Sequence, residues 1–368
     1  MTNSESIIPM LPWGKDMEKE KFLAPDFTSI EVVNVASNSV ALGQNIPNYD
    51  DIRENEGFKN VYFGNVMPKA QGSTVQFATP EQVKTLVDYT LRSYQVHVAC
   101  HELLGHGTGK LIYRAEDGSC PTFTDPITGD KFESCYEKDD TWSSRFGACS
   151  SAYEECRADT VGYFLCTLKE VYSLFGIEDH EVEDMLWTNV MNQLRKGTLG
   201  LTLYNPETKK WGQAHTQGAW VITMWLYKNQ QSKIVDFEIL DNDIRIHLDK
   251  ANLVSEGKEL IRKLLIVLQT YKSSGCVERG AKWFNEYSVV DDMFIKVRDI
   301  VMANKKPRVL KLSHNLVRYN ENTIAPVTYP ENFAGIIHAY QDRWPYSKAL
   351  SAQILAVWDE SKTDLRVV

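Results

Sequence analysis

His97-Val98-Ala99-Cys100-His101-Glu102-Leu103-Leu104-Gly105-His106 closes a run in which apolar residues recur at Val83, Leu86, Val87, Leu91 and Tyr94, a helical spacing that opens after Thr79-Pro80. The pattern predicts a helix carrying three histidines and an acid close to its end. His101 and His106 are five positions apart, one more than the four that place two ligands on one helix face. At about 100° per residue, that interval turns the second imidazole away by about 140° on a regular helix, too far for both to reach one metal ion. The spacing therefore predicts a π-bulge or a break at Leu104-Gly105, where glycine tolerates the distortion.

Working outward from the histidines, a polar loop containing Gly118, Pro121, Pro126 and Gly129 leads to Ser151-Ala152-Tyr153-Glu154. This reads as a capping box opening a helix to about Leu174. Near its start lies Glu154-Glu155-Cys156-Arg157-Ala158-Asp159. A hydrolytic zinc site takes three protein ligands and leaves one position for water, and His101, His106 and Glu155 supply that set for one Zn2+ per chain. Glu102 is the candidate base for the water proton. Glu154 and Asp159 are the acids to accept the second N–H of each imidazole; which supports which is open. His97 pairs with His101 at helical spacing but without an acid at the right offset, and is read as structural. The alternative is a chance cluster of core histidines and solvated acids, which two motifs in order on predicted helices argue against.

The rest of the chain suits a metalloenzyme and excludes other classes. Of 368 residues, 43% are hydrophobic and 24% charged, which rules out a disordered or fibrous chain. Net charge is −9, and basic residues cluster only as isolated pairs such as Lys209-Lys210 and Lys305-Lys306, so no nucleic acid is expected as a partner. No stretch reaches the roughly 18 uncharged apolar residues of a membrane span, and residues 1–20 carry Pro9, Pro12 and mixed charges in place of a leader pattern. A cytoplasmic protein with no membrane partner is expected. Seven cysteines without a C-x-x-C pair predict reduced thiols, with Cys100, Cys156 and Cys166 as small buried hydrophobes. The oligomeric state has no signature.

Helical patterns also cover roughly 181–197, 213–230, 254–273, 281–303 and 330–359. Two alternating runs over 233–248 flank Asp241-Asn242 and predict a hairpin. Before about residue 75 the chain is irregular to β-like, with short strands expected over 29–35 and 60–65. Pro307 marks a boundary. The expected fold class is mainly α, α+β overall.

The two motifs, H-E-L-L-G-H and E-E-C-R-A-[ED], occur letter for letter. With Phe22-Leu23-Ala24-Pro25-Asp26-Phe27-Thr28-Ser29, Asn45-Ile46-Pro47-Asn48-Tyr49-Asp50-Asp51, Glu56-Gly57-Phe58-Lys59-Asn60-Val61 and Gln213-Ala214-His215, they make the chain resemble the dipeptidyl peptidase III family of cytosolic zinc exopeptidases. The resemblance implies zinc held by His101, His106 and Glu155, with Glu102 as catalytic carboxylate. It implies a transition-state role for His215, which by itself reads as a structural residue. Asn45 and Asn48, otherwise merely a turn, would hold the substrate amino terminus, and Arg308 would match a second basic residue of the substrate site. Family members are longer and have two lobes around a cleft. Most of the N-terminal lobe, with an acidic anchor and an assisting tyrosine, has no counterpart here, and His215-Thr216-Gln217-Gly218-Ala219 replaces the family's arginine one turn after the histidine. The expected organisation is a helical zinc-binding catalytic lobe, 1–28 and 75–307, and a small β-containing remnant of the second lobe, 29–74 and 308–368. The expected function is zinc-dependent release of dipeptides from oligopeptide amino termini. The runner-up is a truncated, catalytically impaired zinc-binding homologue acting as a binding protein; an endopeptidase is a third reading.

Overall fold

Helix α1, Pro80–Cys100, begins where the sequence caps it. The Thr79 N–H donates to the Gln82 side chain at 2.8 Å, and Pro80 occupies the first turn, where its missing N–H costs nothing. In this computed structural model, which describes residues 4–23, 26–32, 43–46, 52, 57, 59–64, 75–305, 315–344, 352–353, 355–357 and 359, α1 runs directly into a π-helical turn, His101–Gly105.

Helix α2, Ser150–Leu165, follows. The expected capping box is not made: Cys149 caps without its side chain, because the Glu154 carboxylate is turned inward to Arg157 and Lys272. Nor does one helix reach Leu174. The Thr167 hydroxyl takes the Phe164 carbonyl at 2.6 Å and Leu168 is extended, so α3, Lys169–Leu174, starts afresh. Helices α4, Val182–Gly200, α5, Ala214–Asn229, and α6, Lys258–Ser274, follow the sequence periodicity closely. Gly275, at φ 64°, ends α6, and α7, Val277–Tyr287, and α8, Asp292–Ala303, complete the series.

Helix α2 is the centre of this arrangement, packed by α1, α5 and α6. Of its residues only Ser151 is exposed and only Glu155 half-buried. Around it lies one continuous core that includes Leu86, Leu104, Tyr153, Met185, Trp220 and Leu264.

The sheets are small. Strands β1, Asp26–Ile30, β2, Gly43–Ile46, and β3, Lys59–Phe63, form a sheet in the order β1-β3-β2. Of the strand expected over 29–35, Ser29 and Ile30 lie in β1, Glu31 and Val32 lie beyond its end, and 33–35 lie outside the described residues. Strands β4, Thr122–Thr124, and β5, Lys131–Glu133, form a hairpin with Thr122 opposite Glu133. Tyr204–Asn205 pairs with Lys210–Trp211 as β6 and β7. The hairpin expected over 233–248 is β8, Val235–Ile239, and β9, Ile244–Leu248.

The expectation of reduced thiols is wrong at one pair: Cys120 and Cys135 are joined by a disulfide, with Cα atoms 5.6 Å apart. Extending the β4–β5 register two residues beyond Thr122 and Glu133 brings these cysteines opposite each other, a pairing that cysteine spacing alone does not reveal. Cys100, Cys156 and Cys166 are buried free thiols.

The chain divides into two compact units, one of Met1–Ser29, Gly43–Tyr62 and Met67–Lys306, the other of Ile30–Leu42, Phe63–Val66 and Pro307–Val368. Gly43–Tyr62 belongs with the helices, since β3 pairs with β2 and the Asn60 amide donates to the Glu102 carbonyl at 3.5 Å. The second unit contains the hairpin of β10, Asn315–Asn320, and β11, Thr323–Val327, and helix α9, Phe333–Arg343. Among the described residues no helix is long and apolar enough to cross a membrane.

Candidate metal centre

The π turn solves the five-residue interval. One extra residue in the turn brings His101 and His106 to the same side, with ring centroids 4.8 Å apart and planes at 90°. The widening requires glycine at position 105 for a second reason. A β-carbon there would lie 2.9 Å from Cα, Cβ and the carbonyl oxygen of Ala158, so the turn sits directly on the α2 backbone.

Each histidine is held through Nδ1 by an acid of α2. His101 Nδ1 donates to Asp159 Oδ1 at 2.9 Å, and His106 Nδ1 to Glu154 Oε1 at 3.2 Å. Both Nε2 atoms are left facing Glu155 Oε2, at 3.6 Å from His101 and 3.9 Å from His106. Four-coordinate zinc with bonds of about 2.0–2.1 Å keeps neighbouring donor atoms about 3.4 Å apart, so these separations suit a shared cation. Among the described residues, Glu155 Oε2 is buried and makes no hydrogen bond, and the same is true of Glu102 Oε2. A buried carboxylate oxygen facing two imidazole nitrogens needs positive charge beside it, supplied by a proton on a ring or by a metal ion. The donor atoms of His101, Glu102 and His106 also lie within 4.8 Å of one another. Glu155 Oε2 lies within the same range of both Nε2 atoms, so both acids flank the histidine pair.

The supporting acids are themselves neutralised. Glu154 is buried, and although burial opposes ionisation, the charges of Arg157 and Lys272 and the His106 hydrogen bond hold its pKa well below the ordinary range. Lys272 Nζ lies 2.7 Å from Glu154 Oε2. Arg157, fully buried, also donates to the Gly105 carbonyl, tying α2 to the π turn. Asp159 is likewise held low against burial by Lys196, 2.7 Å away, and by His101. Sequence reasoning missed Lys196, Lys272 and the Arg157 link, because nothing local marks a lysine on another helix as a partner.

His97 is structural. It is buried, stacked on Tyr163 with centroids 4.1 Å apart, and its Nε2 lies 3.2 Å from the Asp159 carbonyl oxygen. His215, near the start of α5, does reach the centre, with Nε2 3.3 Å from Glu155 Oε2 and half of its side chain exposed. Asn45 is placed in β2 opposite Asn60, whereas Asn48 and Arg308 lie outside the described residues.

Residues 1–344 match the model of peptidase family M49. Dipeptidyl peptidase 3 of Rattus norvegicus is 37% identical over 360 residues, covering 94% of this chain and 49% of the relative. That of Dictyostelium discoideum is 34% identical over 334 residues, covering 86% and 48%. Among solved structures, DPP III from Caldithrix abyssi superposes with a TM-score of 0.54 at 18% identity, covering 82% of this chain and 51% of that one. DPP III from Corallococcus sp. strain EGB gives 0.56 at 17%, covering 81% and 49%. The chain thus spans about half the length of the relatives it matches.

Proposed function

The chain belongs to peptidase family M49, and from that premise we propose that it is a zinc-dependent dipeptidyl-peptidase acting on the free amino ends of oligopeptides. One observation carries the reading: the Nε2 atoms of His101 and His106 face the same buried carboxylate oxygen of Glu155. His101, His106 and Glu155 hold the metal, and Glu154 and Asp159 orient the two histidines. Zinc, when bound, supplies a Lewis acid that polarises the scissile carbonyl and lowers the pKa of water to about 7.

The protein's own groups do the rest. Glu102, whose Oε2 has no hydrogen-bond partner among the described residues, takes the proton of the attacking water and returns it to the leaving amine. His215 Nε2 hydrogen-bonds the oxygen on which charge develops. Asn45, Asn48 and Arg308 anchor the peptide, a role that rests on the family likeness.

Purified chain loaded with zinc is expected to release dipeptide from a dipeptidyl-naphthylamide, and Glu102→Ala to abolish that release. Folded, zinc-loaded protein that releases none is a binding protein instead. Cleavage of amino-blocked peptides points to an endopeptidase.

A further inference from the structure

We propose that Gln213 is a positioning residue that fixes the tautomer of His215, so that the imidazole presents its proton from Nε2 toward the metal centre. The inference rests on the reading of His215 as a participant in the reaction.

Gln213 is the N-cap of α5, in extended conformation at φ −157° and ψ 132°. Glutamine is an unusual cap; serine, threonine, aspartate and asparagine serve better because their shorter side chains reach the free N–H groups directly. Here the longer side chain does two things. Its Oε1 accepts from the Thr216 N–H at 2.8 Å, and its Nε2 lies 2.7 Å from His215 Nδ1.

The first contact decides the second. A backbone N–H can only donate, so the atom facing Thr216 is the amide oxygen, and the end facing His215 is the amide NH2. An NH2 group has no lone pair to offer. The 2.7 Å contact is therefore a hydrogen bond only if Nδ1 carries a lone pair, which places the ring hydrogen on Nε2. That atom is 3.3 Å from Glu155 Oε2, at the edge of the proposed metal centre. His215 is thereby set as a hydrogen-bond donor to the reacting oxygen, and proton abstraction is left to Glu102.

Gln213→Glu separates this role from helix capping. Glutamate keeps an oxygen for the Thr216 N–H but turns the other end from donor to acceptor, so Nδ1 must carry the hydrogen. Gln213→Asn is the second variant: it caps well but is one methylene too short to reach the ring. Long-range proton–nitrogen NMR of histidine-labelled, zinc-loaded protein, assigned with His215→Asn, reads the tautomer without reference to activity.

The expected result is an Nε2–H signal in the wild type, an Nδ1–H signal in Gln213→Glu, and loss of the single tautomer in Gln213→Asn, with melting curves unchanged. With a dipeptidyl-naphthylamide, kcat of Gln213→Glu is expected to fall roughly 100-fold, as for loss of one oxyanion donor, with KM little altered. An Nδ1–H wild type, or variants that leave the tautomer unmoved, overturns the proposal. If the tautomer shifts as expected in a chain that releases no dipeptide, the role of Gln213 stands and the hydrolytic reading falls.

Discussion

His97 and His101 lie one helical turn apart on α1 and its π continuation, yet their charge states are opposed. Burial pushes the His97 pKa down to about 4, against the weaker pull of Asp159, and the ring is neutral. Burial lowers His101 too, but the Asp159 hydrogen bond and the charges of Asp159, Glu102 and Glu155 outweigh it and raise the value to about 9. In the metal-free chain His101 is thus protonated at neutral pH. Its folded pKa exceeds the unfolded value of about 6.5, so the proton stabilises the fold below that pH, and this contribution is lost as pH rises through about 9. Metal binding runs the other way, since it must displace the proton. Zinc affinity is expected to strengthen from pH 6.5 toward 9, by up to about tenfold per unit, with protons released in calorimetry. A flat affinity over that range removes His101 from the ligand set. The candidate donors His101, His106 and Glu155 and the candidate base Glu102 were legible as residues because their types and order carry the chemistry. Lys196 and Lys272 were not, because lysine occurs on any surface, and Gln213 stood out only as part of a family-like segment, without a role.

The π turn is an element in its own right, and its tolerance can be measured. Alanine in place of Gly105 gains about 1 kcal/mol of helix propensity. Against this, the added β-carbon meets backbone atoms of Ala158 at 2.9 Å, on a helix enclosed along nearly its whole length. Overpacking against a backbone that cannot retreat costs about 1–3 kcal/mol, so the clash should win. Gly105→Ala is expected to lower stability in urea unfolding and to weaken zinc retention; a stabilised variant contradicts the close approach. Long helices such as α4 and α5 were readable from periodicity. The extent of α2 burial was not: Glu154, Arg157, Asp159 and Thr160 look like a solvated face, and all four are buried and hydrogen-bonded. The predicted capping box failed for the same reason, because Glu154 had a stronger partner in the interior.

At the scale of the molecule, the candidate metal centre draws side chains from the π turn and its C-cap, α2 and α5 within the helical unit. Binding to the folded state alone stabilises it by about 4 kcal/mol when free zinc is a thousandfold above Kd. Chelation is therefore expected to lower the unfolding midpoint by several degrees, reversibly on zinc addition, and His106→Ala to abolish the difference. An unchanged midpoint argues that no metal is held there. The sequence by itself determined the class of fold, the donor types and their order, and the need for a distorted turn at Gly105. The fold class follows from apolar periodicity along the chain, the donor types from two motifs, and the distorted turn from the period of one helix. Only the tertiary structure decided that Asp159 supports His101 and Glu154 supports His106, that Lys272 neutralises Glu154, and that Cys120 meets Cys135. The contacts to Glu154 join residues 48 and 118 positions apart on different elements. Side-chain direction between packed helices is set by how their backbones approach, which no local pattern encodes.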